Sequence, residues 1–324
     1  MPVHAFVFPG QGSQTVGMGR DLAAAFPAAR EVFQEVDEAL KQKLTLIMFE
    51  GPADTLTLTE NAQPALMAMS MAVLRVLETE GGFKLRDKSA LVAGHSLGEY
   101  SALAATGAFS LADAARLLRL RGQAMQKAVP AGIGGMAALI GADLVQAEEI
   151  CAEASAAPRA EGEPELLEVI ELANDNGGGQ LVLSGHAGAV ARAIAIAPSK
   201  GVRRAVPLPV SAPFHCSLMQ PAAEAMAEAL DRTKPLHPAV PLIANVTSMK
   251  VSDPKEIAEL LVQQVTATVR WRESVLGMAA LGIDSFVEIG AGKVLSGLNK
   301  RIAPNAAAFA VSTPADIEAA LKVM

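Results

Sequence analysis

The chain has 324 residues, 51% of them hydrophobic and 19% charged, enough apolar material for one large domain and a smaller one. A formal net charge of -7 and the lack of any long basic run exclude general nucleic-acid binding, which needs a basic footprint. Only Cys151 and Cys216 are present, which excludes a disulfide framework and a cysteine zinc site and fits a reducing compartment.

The opening "MPVHAFVFPGQG" has no basic segment followed by a long apolar core, and "ALMAMSMAVL" is too short to span a bilayer, so a cytoplasmic protein without a membrane segment is expected. Val3 to Phe8 reads as the first strand. It runs into "FPGQGSQ", where Gly10-Gln11-Gly12 is followed by Thr15 at the third glycine position, so the dinucleotide-binding pattern fails. Such a loop instead suits an oxyanion, with backbone N–H groups facing developing charge.

Pro64 to Glu78 is predicted as a helix and Ser89 to Ala93 as a strand. The strand leads into "AGHSLGEYSALAA", where Gly94, Ser96 and Gly98 have the G-x-S-x-G spacing of a nucleophile elbow. Among 27 glycines the bare spacing is moderate evidence; the strand-then-helix context strengthens it over a structural turn. His95 is placed on the opposite side of that turn, where it shapes it.

Ser110 to Ala128 reads as a helix opened by a Ser110/Asp113 capping box. Ala114, Leu117, Leu118, Arg121 and Met125 share one apolar face, while Arg116, Arg119 and Gln123 lie on the solvated face. An arginine on a buried face needs an anionic partner, either a protein carboxylate or a substrate carboxylate. The pattern leaves both open.

From about Pro130 to Val206 the order of segments is strand "MAALIG", helix "DLVQAEEICAEA", strand "LLEVIELA", strand "GQLVLSG", helix "AGAVARAIAIA" and strand "VRRAVPL". This βαββαβ order is the ferredoxin-like pattern. "SAAPRAEGEPE" reads as a surface loop within it. The predicted division is therefore a large α/β domain with a parallel sheet, residues 1–129 and 207–324, and an inserted small domain, residues 130–206.

After the insertion, "PVSAPFHCSLM" places His215 in a proline-flanked loop at the domain junction, where clefts form. His4, His186 and His237 read as structural or exposed. Position alone makes His215 a candidate base and nothing firmer. Ser217 to Asp231, Pro254 to Gln264 and Trp271 to Leu281 are predicted helices; Val240 to Val246 and Asp284 to Ile289 are predicted strands. "GAGKVLS" lacks the spacing and hydroxyl of an NTP-binding loop.

Taken in order, "FPGQGSQ", "TENAQPAL", "GHSLGEYSALAA", "LRLRGQAMQ", "PFHCSLM", "QQVTATVRW" and "EIGAGKVLSGLNKRI" resemble the malonyl-CoA:acyl carrier protein transacylase family over nearly the whole chain. The resemblance implies an α/β-hydrolase-like large domain with a ferredoxin-like small domain. It implies Ser96 as nucleophile, His215 as general base, Arg121 as the group that binds the malonyl carboxylate, and Gln11 and Leu97 as oxyanion-hole donors. Gln264 would orient the histidine through its carbonyl. Phe214 and Asn174 would line the acyl pocket, with Phe214 filling the space of a methyl branch.

No metal and no permanently bound cofactor is implied. The donor would be a coenzyme A thioester and the acceptor the phosphopantetheine thiol of acyl carrier protein, the enzyme acting as a monomer. Two stretches, "RAEGEPELLEV" and "NDNGGGQ", depart from the usual pattern. Docking of an acidic carrier would draw on Arg192, Lys200, Arg203 and Arg204, or on Lys293, Lys300 and Arg301. A serine thioesterase, a transferase for another dicarboxylic acyl group such as methylmalonyl, and a non-catalytic carrier-binding scaffold are the rival readings.

Overall fold

The computed structural model describes residues 3–157, 166–210 and 212–324. Its strands in chain order are β1 (His4–Phe8), β2 (Ser89–Gly94), β3 (Gly134–Ile140), β4 (Ala156–Ala157), β5 (Leu166–Leu167) and β6 (Ile170–Asp175). They continue with β7 (Gln180–His186), β8 (Arg204–Pro207), β9 (Leu242–Ile243), β10 (Lys250–Val251), β11 (Ser285–Ile289) and β12 (Ala307–Val311).

The large sheet has the order β10-β9-β2-β1-β11-β12. Its pairs are parallel except β10 with β9 at one edge. A strand covered on both faces must be apolar on both, and β1 is buried along its whole length. Its alternation sends Phe6 and Phe8 into the core on one face, with Val92 and Val287. Ala5 and Val7 enter the core on the other, with Leu91, Phe286 and Trp271.

The small sheet has the order β6-β7-β3-β8 and is antiparallel throughout. With helices Leu144–Ser155 and Ala187–Ile196 this is the predicted βαββαβ arrangement. Ala137, Leu139, Leu183, Ile150 and Val190 form its own core. The α/β class with a parallel sheet and a second, antiparallel unit thus stands as read.

Several elements differ in extent. The predicted strand Val240 to Val246 shortens to Leu242–Ile243, because the backbone then turns, Ser248 N–H to Ala244 O at 2.8 Å, and carries Asn245 beneath the elbow. The helix predicted from Pro64 begins at Thr59 and runs to Gly81; Leu58 O accepts the Asn61 and Ala62 N–H groups, so a turn forms ahead of the proline. "LLEVIELA" divides into β5 and β6. The helix predicted from Ser217 starts as a 3-10 turn, Ser217–Met219, before Gln220–Arg232. Residues 158–165 of the expected surface loop lie outside the described residues.

The two sheets are fastened along one seam. Val269 N–H donates to Ala173 O at 2.9 Å and Asp175 N–H to Val269 O at 3.0 Å. Arg272 Nε lies 2.8 Å from the Asp175 carboxylate. The unusual "NDNGGGQ" is the β6–β7 turn of this seam. A Cβ on Gly177 would come within 2.6 Å of Ile302, so the turn seats against the Val294–Ile302 helix.

Candidate active site

β1, β2 and β11 end side by side, and their following loops meet at the carboxyl edge of the sheet, where open α/β sheets place ligands. Between β2 and helix Gly98–Ala105 the chain reverses sharply. Ser96 has φ 54°, a left-handed conformation costly for a non-glycine residue. The flanking glycines are required by space: a Cβ on Gly94 would lie 1.9 Å from the Gly98 backbone, and one on Gly98 would lie 2.3 Å from Phe8 O. The hydroxyl therefore projects from the sheet, as the elbow pattern predicts.

Ser96 Oγ is 2.7 Å from His215 Nε2, and His215 Nδ1–H donates to Gln264 O at 2.8 Å. That second bond leaves Nε2 as the bare nitrogen facing the hydroxyl. His215 is buried, and its pKa is pushed down to about 3, first by desolvation and then by the Arg121 charge. The imidazole is neutral and able to take a proton.

Arg121 is 1% exposed, as its place on the apolar face required. Its Nη1 donates to Gln63 Oε1 at 2.8 Å, and its Nη2 to Gln264 Oε1 at 2.8 Å and to Ser96 Oγ at 3.1 Å. The Tyr100 ring lies 5.8 Å from the guanidinium carbon, a cation–π distance. All three hydrogen-bond acceptors are neutral, and among the described residues no carboxylate pairs directly with it. Arg119 departs from expectation: it is largely buried rather than solvated, with Nη1 4.0 Å from Glu60 Oε2, while Arg116 does face solvent and pairs with Asp113.

Gln11, Leu97, Phe214 and Asn174 line a cleft of about 430 Å³ together with Ser96, His215 and Arg121. The sequence-derived residues thus converge on one cavity. Among the described residues no acceptor is hydrogen-bonded to the Gln11 or Leu97 backbone N–H, leaving both as donors beside the serine. Asn174 is buried, and its Nδ2 has no partner among the described residues. His95 also borders the cleft and hydrogen-bonds through Nε2 to Asn176 Oδ1 at 2.8 Å.

Four participants were not singled out from sequence: Gln63, Glu99, Asn176 and Asn245. Asn245 Oδ1 accepts the Ser96 N–H at 2.8 Å and its Nδ2 donates to Gly94 O at 2.7 Å, so it staples the elbow. The available signal was a polar residue inside an apolar run, as in "PLIANVT" and "NAQPAL".

Other candidates resolve as structural. The N-terminus of helix Val294–Ile302 is occupied by Glu288, which accepts from the Leu295 and Ser296 N–H groups at 3.1 and 2.7 Å, in place of any phosphate. His186 Nδ1 accepts the Val169 N–H. Arg192 pairs with Glu168 at 2.7 Å, and Lys200 with Glu153 at 3.2 Å, so these two expected docking cations already have acidic partners. Among the described residues no group of three or more His, Cys, Asp or Glu is placed to hold a metal ion, and no helix is long and apolar enough to cross a membrane.

Residues 5–303 match the acyl transferase domain family. The chain is 45% identical over 323 residues to the malonyl CoA-acyl carrier protein transacylase of Escherichia coli K12, covering 100% of both chains. The crystal structure of an acyl-carrier-protein S-malonyltransferase from Bartonella henselae superposes with a TM-score of 0.93 at 57% identity, covering 99% of each chain. A malonyl-transacylase solved in complex with a type II PKS acyl-carrier protein matches with a TM-score of 0.92 at 40% identity, over 99% of this chain and 100% of that one.

Proposed function

The chain belongs to the acyl transferase domain family, and on that premise we propose that it moves a malonyl group from coenzyme A to the phosphopantetheine thiol of acyl carrier protein through a malonyl-serine intermediate. One observation carries the reading. A nucleophile–base pair, Ser96 and His215, shares its cleft with a buried arginine whose Nη2 lies 3.1 Å from the attacking oxygen.

His215 Nε2 takes the Ser96 proton as Oγ attacks the thioester carbonyl carbon. The oxyanion is received by the Gln11 and Leu97 N–H groups. The tetrahedral intermediate collapses, the C–S bond breaks, and His215 returns the proton to the departing coenzyme A sulfur. In the second half the carrier's thiol gives its proton to His215 and attacks the acyl-serine; Ser96 leaves and regains that proton. The Gln264 carbonyl holds the imidazole through both halves and stabilises its cationic form.

Arg121 reads the distal carboxylate. It holds only neutral acceptors, so a carboxylate that displaces one gains a charge-assisted pair, while an acetyl group gives nothing in return. Phe214 restricts the space around the α-carbon, and Asn174 Nδ2 offers a donor to the substrate's polar atoms. Coenzyme A and the carrier's prosthetic group are substrates, and the protein needs no cofactor of its own. Residues 130–206 form the small domain that closes the cleft. The reading is of a cytoplasmic monomer serving fatty-acid or polyketide assembly.

Intact-mass spectrometry after incubation with malonyl-CoA tests it. A malonyl adduct is expected on the wild type, absent from Ser96→Ala, and discharged when holo-carrier is added. Absence of the adduct would overturn the reading, and discharge by water at the same rate without carrier would make the protein a thioesterase.

A further inference from the structure

Two ionisable side chains of opposite sign lie buried beneath this site without touching. Arg121 and Glu99 are 1% and 2% exposed, yet no direct ion pair joins them, and an uncompensated buried charge is strongly destabilising. Between them sits the side-chain amide of Gln264, itself 0% exposed.

The orientation of that amide is fixed from two sides. Its Oε1 accepts from Arg121 Nη2 at 2.8 Å, and its Nε2 donates to Ser96 O at 3.0 Å. Reversing it would set N–H against N–H at the arginine and oxygen against oxygen at the serine carbonyl. The remaining Nε2 hydrogen is given to Glu99 Oε2. The other Glu99 oxygen accepts the Asn245 N–H at 2.7 Å. Both carboxyl oxygens therefore face donors, the arrangement of a carboxylate. Burial pushes the Glu99 carboxyl up to about 8, even with the Asn245 N–H, the Gln264 amide and the Arg121 charge pulling against that rise, so its negative charge is fully present only above that pH.

We infer that Glu99 is a positioning residue: it is the counter-charge of Arg121, acting through the Gln264 amide, so that the guanidinium is neutralised from behind while its face toward Ser96 stays open to a substrate carboxylate. A direct carboxylate–guanidinium fork would occupy that face. The relay avoids this and ties three parts of the machinery to one side chain, since Gln264 also holds Ser96 through its amide and His215 through its carbonyl. The inference rests on the acyl-transfer reading above.

Acylation of Ser96 by acetyl-CoA, a donor that does not use the arginine, is measured by intact mass above the Glu99 pKa of about 8, where its charge is present, in wild type, Glu99→Gln, Arg121→Ala and the double variant. Glu99→Gln should slow acylation at least ~10-fold in the wild-type background, because the hub loses its anchor, and less than ~3-fold in Arg121→Ala, because no cation remains to compensate. Equal losses in both backgrounds would make Glu99 merely structural and overturn the inference. Should Glu99→Gln fail to fold, Gln264→Met decides: it keeps the backbone carbonyl but cuts the relay, and acylation at the wild-type rate would overturn the inference. If the wild type itself is not acylated by malonyl-CoA, the functional reading fails, a separate outcome.

Discussion

On the proposed acyl-transfer reading, Arg121 is where recognition and catalysis meet at the scale of one residue. Its charge is one of the causes that depress His215, so a substrate carboxylate paired with it relieves the base as it binds. Replacing Arg121 by Ala should cut malonylation of Ser96 by about 10- to 100-fold, the worth of a lost charge-assisted hydrogen bond. Acetylation should hold or rise, because the cation beside the base is gone. Competition between malonyl-CoA and acetyl-CoA, read by adduct mass, checks this; an unchanged preference would show that the arginine only fills the core. The depressed His215 also sets a pH dependence. Its folded pKa of about 3 lies below the ordinary 6.5, so in that window the unfolded chain binds more protons. The contribution of His215 to stability is present above 6.5 and is lost as pH falls toward 3. The base stays neutral throughout, so acylation of the free enzyme should not fall through an ordinary histidine pKa between roughly pH 5 and 7. An acid limb centred near 6.5 would contradict the buried geometry. The meeting of Ser96 and Arg121 in one cleft was legible from local patterns, an elbow and an apolar helix face, while the proline-flanked junction alone left His215 open and the family resemblance singled it out. The Gln264 amide was not legible, since the direction of its hydrogen bonds depends on partners far apart in the chain.

Elements succeed or fail here on close backbone approach. Helix Gly98–Ala105 can start only because its first residue lacks a Cβ; one there would lie 2.3 Å from Phe8 O, a backbone atom that cannot swing aside. Gly98→Ala should displace the elbow and lower the rate of Ser96 malonylation by about 100-fold, the cost of roughly 1 Å of misplacement, with a lower melting temperature. Wild-type kinetics in that variant would refute the packing argument. Helix Leu111–Ala128 offers a contrast. Ser110 caps it by accepting the Asp113 N–H at 3.0 Å on the exposed side, far from the chemistry. Ser110→Ala should cost about 1 kcal/mol, visible in thermal denaturation, and leave acylation unchanged. The elbow was readable as G-x-S-x-G, whereas only half of the predicted capping box forms: Asp113 accepts from the Ser110 hydroxyl and not from the Ser110 backbone N–H. The shortening of the strand at Leu242–Ile243 was not readable, because what ends it is Asn245 reaching across to the elbow, a contact spanning 149 positions for its bond to Ser96.

At the scale of the whole molecule, the ferredoxin-like order of the insertion was legible from segment types, while the way it attaches was not. Attachment runs through a seam in which the end of β6 hydrogen-bonds Val269, the Asp175 carboxylate holds Arg272, and Asn176 reaches His95, the neighbour of Ser96. Only one of these groups is charged and nearly fully buried: the Asp175 side chain is 4% exposed against 34% for Arg272. Half of that pair is thus shielded from solvent, which makes it worth more than an exposed surface bridge. Because Asn174 lines the cleft and Asp175 is its neighbour, loosening the seam should move a cleft wall before it moves the nucleophile. Asp175→Asn keeps the size and an acceptor oxygen but removes the charge, and should cost about 1–3 kcal/mol of stability. The kinetic signature should fall on KM for malonyl-CoA more than on kcat, since the Ser96–His215 pair is held by Gln264 and Asn245 from the large sheet's side. Calorimetry of the wild type should show one transition, the two sheets unfolding together across the seam. Two resolved transitions in the wild type, or wild-type stability and KM in Asp175→Asn, would mean that the small sheet stands on its own.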